Sequence, residues 1–242
     1  MSLRLLLPAS MLILGALPAQ AGALLEGQVL PFRQVEVSAP VSSQITEMRV
    51  KEGEAVKAGQ ALALLYGKLE ELEMQRAKAL LERREFEAKG AKRLYDSKVI
   101  PEARALESRI DLELARLQYE TAAEQVRLRT ILAPMDGVVV TRYRDAGEAV
   151  SGAQPLFRLM DLSRVLIQCA ADPSSLAGLV PGRKVRVLVP EAGGAARVEG
   201  EVVLVDPCAD ATGKIRIRIL VPNPEGRIRA GLKAQVQVPE GL

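Results

Sequence analysis

The sequence predicts a mostly β protein with one long α-helical hairpin: a β-sandwich split by an antiparallel coiled-coil hairpin and followed by a small β-barrel. Three observations lead to this prediction. The same short β-unit occurs twice, a helix-forming segment separates the copies, and strand-like runs divided by Pro and Gly follow them. With 242 residues, 48% of them apolar, the chain exceeds one typical domain and can form packed cores.

The repeat predicts a sandwich made of two halves. Residues 39–65 and 133–159 share Ala-Pro, Gly-Glu-Ala-Val, a glutamine and two leucines without a gap, at the constant offset of 94 that separates Gly53 from Gly147. Alternating runs in each copy suit strands with one buried face. Glycine supplies the positive φ of tight turns, so we expect structural turns at Gly53, Gly59, Gly137 and Gly147.

The segment between the two copies predicts the hairpin. It is rich in Leu, Ala, Glu, Arg and Lys, and residues 96–100 divide it into two equal arms of about 42 Å each. Pro101 suits the first turn of the second helix. We expect each arm to cover the other's apolar seam. In the first arm the seam is rich in alanine and interrupted by Arg84; in the second it has an 11-residue period and contains Leu106, Ile110, Leu114 and Leu117.

Two interpretations of this hairpin are open. It is either an ordinary helical pair packed on a globular core or a strut with a fixed base and a distant tip. Its position between two β halves favours the strut, and a strut serves to reach a partner.

The last part of the chain predicts the barrel. Five short strand-like runs lie between residues 165 and 238, and residues 25–30 form a lead-in strand that would close the barrel. Cys169 and Cys208 both lie in this part. They form either a disulfide, which export would permit, or two separate buried thiols.

Composition excludes several classes of function. The net charge is only +3, so the composition does not indicate a nucleic-acid-binding protein. Histidine is absent, which removes His-based triads, His general bases and His-ligated metals. We find no catalytic grouping and no phosphate loop. We therefore expect no enzyme activity, no metal site and no cofactor.

The N-terminus resembles a secretory signal peptide. Arg4 precedes a short apolar run, and Ala19-Gln20-Ala21 fits the small-x-small cleavage pattern. We expect residues 1–21 to be removed after Ala21 and the mature protein to be periplasmic and associated with the cell envelope. The alternative is an uncleaved anchor helix.

The two half-motifs resemble those of the biotinyl/lipoyl domain. In carrier proteins of that fold a lysine between the halves takes the cofactor, but this register places Leu69 at the acceptor position. A half-motif pair opened by a helical insert resembles the periplasmic adaptor or membrane fusion proteins, both HlyD-like and of the efflux RND type. Beside the signal peptide predicted at 1–21, the resemblance implies this organisation: a biotinyl/lipoyl-like domain at 36–66 plus 131–160, a hairpin at 67–130, and a β-barrel domain at 22–35 plus 161–242.

The resemblance also implies a function. A periplasmic adaptor bridges an inner-membrane transporter, of RND or ABC type, to an outer-membrane channel in an efflux or secretion system. It forms a homo-oligomeric ring and has no catalysis of its own. The alternatives are a lipoyl-like assembly or binding module and a degenerate biotinyl/lipoyl carrier.

In that family the hairpin tip docks on the channel. Alignment on Leu94 places Gly90 and Pro101 where the family's tip has Arg and Ser, so two of its three motif residues are lost. We expect partner binding by Leu94, Lys98, Val99, Ile100 and Pro101. The alternative is a loop whose apolar residues fold back over the last turn of the hairpin.

Overall fold

The computed structural model describes residues 24–176, 179–190 and 196–238. The predicted signal peptide and its cleavage site after Ala21 lie outside these residues. The described chain forms two compact units. One contains residues 24–29, 166–221 and 231–238, and the other contains residues 30–165 and 222–230.

The first unit is a β-barrel. Among its described residues, six strands are joined in the order β1-β12-β9-β10-β11-β8, and pairing between β1 and β8 closes the circle. A short 3-10 turn, Pro173–Leu176, follows β8. Alternate residues of these strands fill the interior, as in Val185, Val187 and Val189. The strands that contribute to it are β1 Leu24–Ser38, β8 Pro155–Ala171, β9 Lys184–Val189, β10 Ala196–Ala209, β11 Ile215–Pro222 and β12 Lys233–Gln237, of which β1 and β8 also have residues in the second unit.

Both cysteines are free thiols in this structure. Cys169 is buried and Cys208 is exposed, so the structure has neither the disulfide nor two buried thiols. Burial raises the pKa of the Cys169 thiol to about 11. A side chain at Gly27 would place its Cβ 2.5 Å from the Cys169 Sγ, so this strand pair requires glycine.

The second unit contains the β-sandwich. One of its sheets has the order β5-β4-β2-β7, and β6 pairs with both β3 and the first part of β8. A single apolar core contains residues from both copies of the repeat, with Ile45 and Leu62 matched by Val139 and Leu156. The strands are β2 Ser43–Met48, β3 Ala55–Val56, β4 Ala61–Leu65, β5 Thr130–Leu132, β6 Gly137–Arg142 and β7 Ala149–Val150.

The two halves of the sandwich exchange equivalent hydrogen bonds. The Gly53 N–H donates to the Val139 carbonyl at 2.8 Å, and the Gly147 N–H donates to the Ile45 carbonyl at 2.8 Å. The turns that follow are closed in the same way: Gln60 Oε1 accepts from the Lys57 N–H and Gln154 Oε1 from the Ser151 N–H, each at 3.0 Å. The repeat therefore encodes a pseudo-twofold pair in which each half satisfies the backbone of the other.

The predicted turn glycines fall into two groups. Gly53, Gly59 and Gly147 have φ of 84°, 80° and 92°, the left-handed region that glycine enters without strain. Ala153, at the position equivalent to Gly59, has φ of 66°. Gly137 differs because it is the first residue of β6, not a left-handed turn. Glycine is required there because a Cβ would lie 2.6 Å from the Met160 carbonyl oxygen.

The hairpin rises from the sandwich between its two halves. α1 spans Lys68–Asp96 and α2 spans Glu102–Arg127, and the two helices pack against each other along their length. Pro101 is the N-cap of α2, so it precedes the first helical turn by one residue. Within the described ranges, no helix is long and apolar enough to cross a membrane.

Candidate partner-binding site on the helical hairpin

The base of the hairpin is fixed by contacts between the two arms. Arg129 follows α2 and forms an ion pair with Glu70 in the first turn of α1, and both side chains are about four-fifths buried. The Arg129 carbonyl accepts a 2.7 Å hydrogen bond from the Leu65 N–H of β4. Gly67 leaves the room that Arg129 occupies, since a Cβ there would lie 2.7 Å from the Arg129 Cγ. The start of α1 and the end of α2 are therefore held together at the base of the hairpin and bonded to the sandwich.

The fully buried residues of the seam between the arms are alanines. Ala77 of α1 and Ala115 and Ala122 of α2 are buried, whereas larger apolar residues at the same spacing are only half-buried, among them Leu81, Leu112 and Val126. The sequence prediction for the second arm was therefore wrong: Leu106, Ile110, Leu114 and Leu117 are 48–54% exposed and do not form the seam. Alanine side chains let two helices approach closely. Leu114 and Leu117 lie beside the seam, where they line an open groove that also includes Ala77 and Ala122.

Arg84 lies in the seam and is paired there. Its Nη1 contacts Asp111 of α2 at 3.1 Å and Glu87 of its own helix at 2.8 Å. Hydrogen bonds from Arg83 and then Arg84 lower the pKa of Glu87. The Arg84–Asp111 contact fixes which residues of the two arms lie side by side, as polar residues do in coiled coils.

The tip ends α1 in a Schellman motif. The Lys98 N–H donates to the Tyr95 carbonyl and the Val99 N–H donates to the Leu94 carbonyl, both at 2.8 Å. Lys98 has φ of 58°, in the left-handed position that glycine usually occupies at a helix end. The tip is therefore a defined turn, with an exposed lysine held in a conformation that costs free energy.

The five predicted tip residues lie together at this turn. Val99 is 66% exposed, and Leu94, Lys98 and Pro101 are also exposed, while Ile100 is half-buried. The predicted set thus presents two apolar side chains and a cation at the far end of the hairpin. Leu69, at the carrier lysine's position, lies in the first turn of α1 and is exposed.

Sequence reasoning missed the outer faces of the arms. Phe86 of α1 is 81% exposed and was assigned no role, and the leucines of α2 were assigned to the seam. The available signal was the spacing of the alanines, because Ala115 and Ala122 repeat at the interval of seven that marks a helix–helix seam.

Comparison with protein families identifies both β regions. Residues 33–162 match the family described as "RND MFP, barrel-sandwich hybrid domain", and residues 165–241 match the "CusB-like, beta-barrel domain". The first match covers more than half of the chain. Together the two matches run from β1 to the end of the barrel.

Known relatives and structures agree with these matches. Nodulation protein NolF of Rhizobium meliloti is 26% identical over 85% of this chain and 60% of its own length. Multidrug resistance protein MexA of Pseudomonas aeruginosa is 27% identical over 90% of this chain and 61% of its own length. The chain thus spans about 60% of the length of these relatives.

A solved structure shows the same fold. It is a MacA-MexA chimera that contains the Pseudomonas aeruginosa MexA α-hairpin domain. It superposes with a TM-score of 0.78 at 23% identity, covering 89% of this chain and 79% of that one. The chain therefore shares the fold of that chimera, and by its two family matches it belongs to the RND membrane fusion protein family.

Proposed function

We propose that this protein is a periplasmic adaptor subunit that bridges an inner-membrane transporter to an outer-membrane channel in an efflux or secretion system. The observation that carries the proposal is the hairpin. Two helices of 29 and 26 residues extend from a fixed base and end in an ordered turn that exposes apolar and cationic side chains. By helical rise this places the tip about 40 Å from the sandwich.

The relatives support an export role of this kind. MexA is named as a multidrug resistance protein, and MacA of Escherichia coli O157:H7, 26% identical over 90% of this chain, as a macrolide export protein. We assign this chain a transporter of RND or ABC type as its inner-membrane partner, a ring of identical copies as its assembly, and the periplasm as its compartment. We expect no catalysis of its own, because the sequence contains no histidine and no catalytic grouping.

The alternative of a biotinyl or lipoyl carrier is not favoured. Leu69 occupies the acceptor position and carries no amine. The mass of the intact mature protein separates the two functions. We expect the mass of the polypeptide alone, and an added biotinyl or lipoyl group would contradict the adaptor assignment.

The tip provides the direct test of the adaptor function. Changing Val99 and Ile100 to Asp places two carboxylates at a contact that must lose water, so channel binding should weaken by about 2 kcal/mol or more. In a strain that depends on this protein for export, we expect loss of tolerance to exported compounds with an unchanged circular dichroism spectrum.

Val180→Asp is the matched control. Val180 is an exposed apolar residue of the barrel unit, so it tests the general effect of an added carboxylate. We expect it to leave tolerance unchanged. Full tolerance in the tip variant, at normal protein level, would show that this tip does not bind the channel. Crosslinking in intact envelopes should recover both a transporter and a channel with the unmodified chain.

A further inference from the structure

Two residues at the end of α1 lower its local stability. Gly90 lies inside the helix, where alanine is favoured over glycine. Lys98 lies just after the helix with φ of 58°, in the left-handed region where glycine is the usual residue. Each residue therefore has the type that costs folding free energy at its position. Such local costs are typical of functional sites, where a surface property is kept at the expense of stability.

Packing inside the hairpin does not explain the glycine. A Cβ built at Gly90 has no neighbouring atom within 4 Å. Gly67 at the base of the hairpin differs, because Arg129 fills the space that a Cβ would need there. Gly90 also lies about 140° around α1 from the buried Ala77, so its small size does not serve the approach of α2. The missing side chain leaves an opening on the outer surface instead.

Gly90 lies in a row of exposed apolar residues. Phe86, Gly90 and Leu94 follow each other at intervals of one turn along α1. Phe86 is 81% and Leu94 46% exposed, so the glycine forms a notch between two large side chains whose Cα atoms are about 12 Å apart. The Schellman hydrogen bond from the Val99 N–H to the Leu94 carbonyl continues the row into the tip. We call these four residues the tip ridge.

The charge around the tip ridge is positive. Residues 89–98 contain one carboxylate, Asp96, and four cations, which are Lys89, Lys92, Arg93 and Lys98. Lys89 contacts Glu85 at 3.9 Å, and within the described part of the chain the other three cations form no ion pair. A partner with carboxylates at its surface is therefore favoured.

We propose that Gly90 and Lys98 form a two-point binding site for the outer-membrane channel. An apolar side chain of the channel enters the notch at Gly90, and a carboxylate of the channel pairs with the Lys98 ammonium. The two points are eight residues apart, which is about 12 Å by helical rise. The channel surface that fits presents a large apolar side chain and an acidic one at about that separation. This inference rests on the proposed function for the identity of the partner.

Substitutions that favour the local structure test the site without a risk of unfolding. Gly90→Leu fills the notch with a good helix former, and Lys98→Gly removes the ammonium and relieves the left-handed backbone. We expect each variant of the full chain to keep or raise the thermal denaturation midpoint. In the export-dependent strain, each should lower the tolerated concentration of exported compounds by about fourfold or more. Lys98→Arg, which keeps the charge, should lose less tolerance than Lys98→Gly.

The matched controls are exposed positions of α1 nearer its base. Gln75→Leu adds a leucine and Lys78→Ala removes an ammonium, both away from the tip ridge. We expect both to leave tolerance unchanged. Full tolerance in either Gly90→Leu or Lys98→Gly would overturn the proposal. A lowered midpoint in these two variants would count against it equally, because the loss of export would then be a loss of folding.

Compensating changes identify the partner. Lys98→Glu should abolish tolerance, and mutagenesis of the channel gene should restore it by replacing one acidic residue of the channel with a neutral or basic one. For Gly90→Leu, the restoring change should replace one large apolar residue of the channel with a smaller one. Restoring changes found only in the transporter, or only in this chain, would assign the site to the transporter or to a second copy and reject the proposal.

The outcome is separable from that of the proposed function. The change of Val99 and Ile100 to Asp tests whether the tip binds the channel at all. Loss of tolerance in that variant, with full tolerance in the Gly90 and Lys98 variants, would retain the adaptor function and reject the two-point site. Full tolerance in the Val99 and Ile100 variant, with losses at Gly90 and Lys98 that channel mutations restore, would move the contact from the turn to the notch and Lys98.

Discussion

The sandwich buries its large apolar residues, whereas the hairpin exposes several of its own. In the sandwich, Leu62, Leu156 and Phe157 are fully buried in one core. In the hairpin, the buried residues are alanines, while Leu114 is half exposed and Phe86 is largely exposed. The sandwich therefore buries its large apolar side chains, whereas the hairpin leaves several of its own exposed to solvent. The predictions below test that contrast.

The largest expected effect is loss of core packing in the sandwich. Leu62→Ala should lower the free energy of unfolding by about 3 kcal/mol or more, because it removes buried methyl groups and leaves a cavity. Leu114→Ala, measured in dilute protein, should change it by less than about 0.5 kcal/mol, because that side chain is half exposed and alanine favours helix. Denaturant titration of both variants gives the comparison. A cost at Leu114 equal to that at Leu62 would mean that the Leu114 side chain is part of the folded core.

A smaller effect is expected at the paired turns of the repeat. Gly53→Val and Gly147→Val should each cost about 2 kcal/mol, because valine is strained at φ of 84° and 92°. No atom lies within 4 Å of a Cβ at either position, so the cost is one of backbone conformation and not of collision. Ala58→Val, an exposed position in a neighbouring turn, is the control. Thermal denaturation midpoints should fall for both glycine variants, and unchanged midpoints would contradict this account of the turns.

The smallest expected effect on stability concerns a turn in which the two halves of the repeat carry different residues. Gly59 and Ala153 occupy equivalent left-handed positions, so Ala153→Gly should relieve strain and stabilise the sandwich by up to about 1 kcal/mol. Gly59→Ala should destabilise it by a similar amount. Opposite shifts of the denaturation midpoint are the expected result, and shifts of the same sign would show that the two turns are not equivalent in energy.

Most of the fold could be predicted from sequence because the repeat constrains it strongly. The Gly-Glu-Ala-Val copies share one register, and a slip of one residue would turn each strand's buried face to solvent. The hairpin followed from composition and from the breakers near Pro101. The same breakers predicted which residues lie at the tip. They did not predict the left-handed backbone conformation of Lys98, because no glycine marks that position in the sequence.

By itself, the sequence determined the two β halves, the helical insert and the barrel, because alternation, turn glycines and helix formers are local signals. Only the tertiary structure decided which face of each helix is covered. A regular spacing of leucines in α2 indicates an apolar stripe, but it does not tell whether that stripe meets the other arm or another molecule. Which face of each helix is covered depends on how closely the backbones of α1 and α2 approach each other. The alanines permit this approach, and the Arg84–Asp111 pair sets its register, both of which are contacts between residues distant in sequence.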